Sequence, residues 1–269
     1  MSGPLVMSAS TAMLTSLLHA ELAADALVDA ARLANALWHT AGEHRSNAVT
    51  DGLFELALVD GLPPQATAIG HGAKISAPAA ACFNAACAAG RDDDTLAPSL
   101  FASLAIAETQ KLTARQFLEA FAIGAGVSRR LASALNVEGA RRFIPASAVG
   151  QLGAALSVCR ALDLDRGAAS SALGLAAVQV TGNARRSDAA YTLSVGNAAR
   201  VGVESALIAG FGANGPQNGV SAIGLMLNVP MLESAVDDIV ALTVGAASDA
   251  RVAAALDILP TGLRELLAA

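Results

Sequence analysis

Three consecutive carboxylates, Asp92, Asp93 and Asp94, follow an alanine-rich run that closes on Gly90, in the stretch NAACAAGRDDDT at 84–95. Adjacent acids repel one another. A carboxyl withdrawn from water without a cationic or hydrogen-bonding partner also holds its proton more tightly, so one of the three is suited to work as a general acid or base. The same residues also read as a solvated N-terminal turn, with the acids facing the positive end of the helix that starts near Pro98. Asn84 and Thr95 bracket the run as candidate hydrogen-bonding groups for a substrate.

Tyr191 is the single tyrosine of the chain. A phenol donates a hydrogen bond to a carbonyl or acts as a general acid, and the competing reading is a ring packed at the start of a helix. Ser194 lies three residues on and shares the helical face of Tyr191. No histidine stands near it in sequence, so a serine nucleophile is not proposed. Arg185 and Arg186 form either a clamp for a carboxylate or a charge pair on a helix C-terminus. The four histidines, His19, His39, His44 and His71, lie away from these residues, with His39 and His44 at a helix end and His71 in a loop. Lys74 and Lys111 are the only lysines. Cys82, Cys87 and Cys159 have no metal-ligand spacing and read as small buried hydrophobes in a reducing compartment. Gly124-x-Gly126 lacks a preceding strand and is no nucleotide fingerprint, so neither a metal nor an organic cofactor is expected.

The elements that must position these residues are helical. Leu112-Thr113-x-x-Gln116-Phe117 predicts an N-cap at Thr113, a capping box closed by Gln116 and a staple of Leu112 on Phe117. The helix it opens should turn Phe117, Phe121, Ile123 or Gly124, and Val127 inward and end near 135–136. Asp165 predicts the cap of a helix reaching about 180. Further helical runs are predicted over 10–39, 47–58, 78–90, 98–110, 146–162, 189–210, 232–243, 248–257 and 260–268. Several are apolar or small on every face, as in a helix enclosed by others. Strict two-residue alternation is nearly absent, and the expectation is an all-α multi-helix bundle. The chain reads as a single domain over 1–269, with a core at about 10–211 and a C-terminal helical piece at about 220–269. The clearest break is GANGPQNG at 212–219. Gly182, Gly196 and Gly202 are expected to allow close helix packing or to end helices.

At 269 residues and 54% hydrophobic, the chain can bury a large core, which excludes disorder. A net charge of −6 with scattered arginines argues against a nucleic-acid partner and against an anionic membrane surface. The mean hydropathy of +0.51 invites a membrane reading. However, the longest uncharged stretches, near 75–90 and 167–183, are too short and too rich in Ala, Ser and Gly for spans. The first residues lack a basic region followed by an apolar core, so cytoplasm is the expected location.

The order and spacing of these segments resemble the MmgE/PrpD family, which includes 2-methylcitrate dehydratase and cis-aconitate decarboxylase. In that family a helix carrying Asn-Gly leads into an Asp-aromatic-Asp-Asp-Thr motif, matched here by Asn84 and by Asp92-Asp93-Asp94-Thr95 with one residue fewer. The resemblance continues through 66–86, 144–165, 171–185 and 191–216. It implies a helical domain, a homodimer, and an active site shared with a smaller α/β domain that this chain is expected to lack. It also shows departures. Positions where relatives carry histidines hold Ala89 or its neighbour, the histidine-free stretch 95–108, and Ile144, while a lysine and a histidine fall on Tyr191 and Ser194. Three functions follow: a lyase for a small carboxylic acid, with the acids as base and Tyr191 as acid; an isomerase or cyclase of a less polar metabolite; or a non-catalytic binding protein or subunit beside a larger paralogue.

Overall fold

The computed structural model describes residues 9–43, 46–90, 93–137, 146–180, 189–221, 245 and 247–268. Its centre is a quartet of helices, α4 (Ala77–Cys87), α5 (Ala97–Gln110), α7 (Ala146–Ala161) and α9 (Ala189–Gly210), in which α5 and α9 pack on each other and each packs on both α4 and α7. This arrangement explains their featureless apolar sequences. Every residue of α5 from Ala97 to Ala107 is buried, so no face needs to be polar.

Two small-residue contacts set how closely the quartet packs. A Cβ on Gly202 of α9 would lie 2.4 Å from the Ala154 side chain and 2.8 Å from α7 backbone. A Cβ on Gly196 would lie 2.7 Å from the Cys82 carbonyl of α4. Close packing was expected at both positions; Gly182 lies outside the described residues.

Around the quartet, α6 (Ala114–Val137) packs on α7 and α5, and α8 (Arg166–Ala177) packs on α7 and α9. Both open as expected. Thr113 N–H donates to Gln116 Oε1 at 2.9 Å, and Gln116 N–H returns to Thr113 Oγ1 at 3.3 Å. Asp165 caps α8 by accepting from the Ala168 N–H at 2.8 Å. Phe117, Phe121, Ile123 and Val127 are all fully buried. An outer set comprises α1 (Ala9–Ser16), α2 (Ala24–Gly42), α3 (Ala48–Val59), α10 (Asp249–Ile258) and α11 (Thr261–Ala268). α10 lies on α2, and α11 lies against α5 and α6. The helix expected at 232–243 falls outside the described residues.

One expectation is corrected. The run 10–39 is not one helix. α1 passes into a 3₁₀ turn at Leu17–His19, the chain turns extended at Ala20, and α2 starts at Ala24. Nothing in the local sequence breaks the helix there. The interruption lets the Glu21 carbonyl accept from the Gly245 N–H at 2.9 Å, a tertiary contact that overrides propensity. The all-α class holds, with one small addition, a two-stranded antiparallel hairpin of β1 (Ala66–Ala68) and β2 (Ala73–Ile75) that is too short to show alternation. The stretch 212–219 packs on the bundle, since Gly215 and Gly219 sit tightly against α8 and Ser170 hydrogen-bonds Gln217.

Candidate active site

Between α4 and α5 the chain reverses through Gly90, with φ +84°, and Asp93, with φ 59° and ψ 15°. A left-handed aspartate is uncommon but tolerated, because its short polar side chain can bond locally. The reversal folds the following 3₁₀ turn, Asp94–Leu96, onto α5, α6 and α7 and carries the Asp94 side chain inside. Asp94 is fully buried, and its Oδ2 accepts from the Gly90 N–H at 2.9 Å. The same oxygen accepts from the Tyr191 hydroxyl at 2.9 Å, across 97 residues of chain. Tyr191 stands in the first turn of α9 and is 6% exposed.

The other expected residues divide around this pair. Thr95 is half-buried, and its carbonyl abuts Gly150 of α7, where a Cβ would come within 3.3 Å of it. Ser194 is half-buried and donates to the Tyr191 carbonyl at 2.8 Å. Asp93 is exposed. Asn84 is buried, and its amide serves the hairpin. Its Nδ2 donates to the Thr67 carbonyl at 2.8 Å and its Oδ1 accepts from the Ile69 N–H at 2.9 Å. Asp92, Arg185 and Arg186 lie outside the described residues. The fold thus joins Asp94, Thr95 and Tyr191 in one place and directs the Asn84 amide elsewhere.

Two buried polar residues had not been singled out. Glu108 accepts from the Thr67 N–H at 3.0 Å and from the Thr67 hydroxyl at 2.7 Å, and it pairs with Lys74 at 3.6 Å, so it anchors the hairpin from α5. Gln151 follows Gly150, is fully buried and donates to the Ala176 carbonyl at 2.6 Å, while its Oε1 has no hydrogen-bond partner among the described residues. The available signal was a long polar side chain inside a helix built mostly of small and apolar residues.

Residues 45–237 match the MmgE/PrpD N-terminal domain. The chain belongs to the MmgE/PrpD family. No curated protein matches it. In this MmgE/PrpD chain, residues from three of the segments that carried the resemblance meet at the Asp94 turn: Gly90 and Thr95, Gly150, and Tyr191.

A cleft of about 480 Å³ lies between α2 and α6, but it is lined by Asp25, Asp29, Arg129 and Arg130 and by neither Asp94 nor Tyr191. Its acids are already matched, Asp25 with Arg251 at 3.4 Å and Asp29 with Arg32 at 3.6 Å. Among the described residues, no group of three or more His, Cys, Asp or Glu side chains could hold a metal ion, and no helix is long and apolar enough to cross a membrane. The three thiols are buried, and desolvation pushes Cys82 up to about 11 and Cys87 and Cys159 up to about 12. They remain protonated and unreactive at neutral pH.

Proposed function

We propose that the chain is a lyase that removes water or carbon dioxide from a small carboxylic acid, with Tyr191 moving the proton and Asp94 taking its place in the relay. The observation that carries this reading is the buried Tyr191–Asp94 hydrogen bond, formed between two residues at family motif positions. In a dehydration, the carbon next to the substrate carboxylate gives its proton to the phenol oxygen while the phenol proton passes to Asp94 Oδ2. The C–H electron pair becomes the new double bond, and the C–O bond breaks. The proton then returns through Tyr191 to the departing hydroxyl, which leaves as water. In a decarboxylation, the C–C bond breaks to release carbon dioxide, its electron pair takes the proton of Tyr191, and water reprotonates the phenolate to close the cycle. Arg185 and Arg186 are the arginines suited to hold the substrate carboxylate, by bidentate bonding.

A non-catalytic role has its own support, because Asn84, Asp94 and Ser194 all have partners within the chain. Mass spectrometry of products from 2-methylcitrate, cis-aconitate and related acids decides between the two. The proposal expects turnover by the unaltered protein and a fall of about 100-fold or more in Tyr191→Phe, with the helical signal retained. Absence of turnover, or full turnover by Tyr191→Phe, overturns it for those acids.

A further inference from the structure

The cleft of about 480 Å³ between α2 and α6 has a charge pattern of its own, apart from Asp94 and Tyr191. Asp25 and Asp29 stand one turn apart on the α2 wall, and Arg129 and Arg130 are neighbours on the α6 wall. The buried Ala30, Ala122 and Ala125 give it a small apolar floor. The size suits a metabolite, since ligand pockets run from about 300 to 1,000 Å³.

The fold accounts for the two acids but not for the two arginines. Asp25 occupies the first turn of α2, where a carboxylate faces the positive helix end. It pairs with Arg251 of α10 at 3.4 Å, and Asp29 pairs with Arg32 at 3.6 Å. Arg251 and Arg32 do not line the cleft, and each pair uses Oδ1 alone. Each carboxylate therefore keeps a second oxygen that can accept from a ligand. Elsewhere on α6 and α9 an arginine comes with an acid one turn away, Arg115 with Glu119 and Arg200 with Glu204. One turn to either side of Arg129 and Arg130 stand only Ala125, Gly126, Val127, Ala132, Ser133 and Ala134. Both arginines also lie about two turns before the C-terminal end of α6, beyond reach of its dipole. Neither has an ion-pair partner among the described residues.

The lining charges cancel in number and are segregated by wall. A simple anion entering the cleft meets Asp25 and Asp29, and a simple cation meets Arg129 and Arg130. A molecule that carries both charges is attracted at both ends. We propose that this cleft binds a small amino acid as its zwitterion, with the carboxylate on Arg129 and Arg130, the ammonium on Asp25 and Asp29, and the carbon chain over the alanines. Guanidinium groups match a carboxylate bidentately, and the acids accept the N–H donors of an ammonium. The ligand ties α2 to α6, beside the Arg251 contact that ties α2 to α10. Nothing in this binding requires Tyr191 or Asp94.

Calorimetric titration of the full chain tests it with probes that differ in charge. The amino acid 4-aminobutyrate carries both groups, butyrate lacks the ammonium, and butylamine lacks the carboxylate. Alanine and 6-aminohexanoate report which separation of charges the cleft prefers. At least one of the three amino acids should bind with a dissociation constant of about 1 mM or tighter, and butyrate and butylamine at least about tenfold more weakly. Arg130→Gln and Asp29→Asn should each weaken the amino acid at least about tenfold. Neither side chain is fully buried, so melting temperatures without ligand should be retained. Tyr191→Phe should bind the amino acid as the unaltered protein does. Four results each overturn the proposal: no binding by any of the three, equal binding of butyrate or butylamine, full affinity in Arg130→Gln or Asp29→Asn, and loss of binding in Tyr191→Phe, which would place the ligand beside Asp94 instead.

Discussion

Tyr191 and Asp94 hold each other in a place from which water is excluded, and this pairing has a stability consequence separate from any chemistry. Removing the phenol hydroxyl in Tyr191→Phe deletes a buried hydrogen bond to a carboxylate and should cost about 1.5–3 kcal/mol, read as a lower urea midpoint with an unchanged slope. The residue types at this site were legible in the sequence: an acidic run after a glycine and a lone tyrosine at a motif position. Their partnership was not, because a contact across 97 residues leaves no local period. Asn84 shows the same limit. Its position suggested a substrate contact, but its amide proves to be bonded to the turn of a hairpin that gave no alternation signal. The thiols give a second check at this scale. Each is raised by burial above the ordinary value near 8.5, so as pH rises the unfolded chain loses these protons first. Their contribution to stability is complete below about 8.5 and drains away above it. Thermal melts between pH 7 and 10 should show that decline. In native protein, iodoacetamide should modify Cys82, which lines a groove between α3, α4 and α9, before the fully buried Cys159.

At the scale of elements, helix starts were the most legible feature, because capping is local chemistry. Thr113, Gln116 and Asp165 stand in the bonds that their spacing predicted. The break between α1 and α2 was illegible, since its cause is the distant Gly245. Packing between elements rests on close approach, so Gly202→Ala should separate α9 from α7 and cost about 1–3 kcal/mol, the usual penalty of overpacking. Asn84→Ala should cost a similar amount, because it leaves the Thr67 carbonyl and Ile69 N–H without their partner. Proteolysis within 66–75 would report the hairpin loosening before the bundle melts.

For the whole molecule, the all-α class was legible from helical periodicity together with small-residue runs, and the layering follows from which helices could tolerate burial on every side. Long-range electrostatics were less visible. Glu119 of α6 is bonded by Arg115 at 2.9 Å and by Arg160 of α7 at 2.8 Å, which also reaches the Leu18 carbonyl. Burial alone would raise its carboxyl, but the two guanidinium groups outweigh that and hold it below the ordinary carboxylate value. A lowered carboxyl stabilises the fold above its unfolded value, near 4.3, and that contribution is lost as pH falls through the lower folded value. Acid titration followed by circular dichroism should therefore show a shallower loss of stability in Glu119→Gln, from a less stable starting point at pH 7.

The pairing of α10 with α2 also bears on the order of events during synthesis. α2 is translated before α10, and the helix that packs most extensively on it is thus encoded more than two hundred residues later. Until α10 arrives, the buried apolar side chains of α2 have incomplete cover. Contacts of such long sequence separation form late and slowly, and uncovered apolar strips of this kind attract chaperones or other nascent chains. Completing the cover of α2 thus waits for a segment translated more than two hundred residues after it.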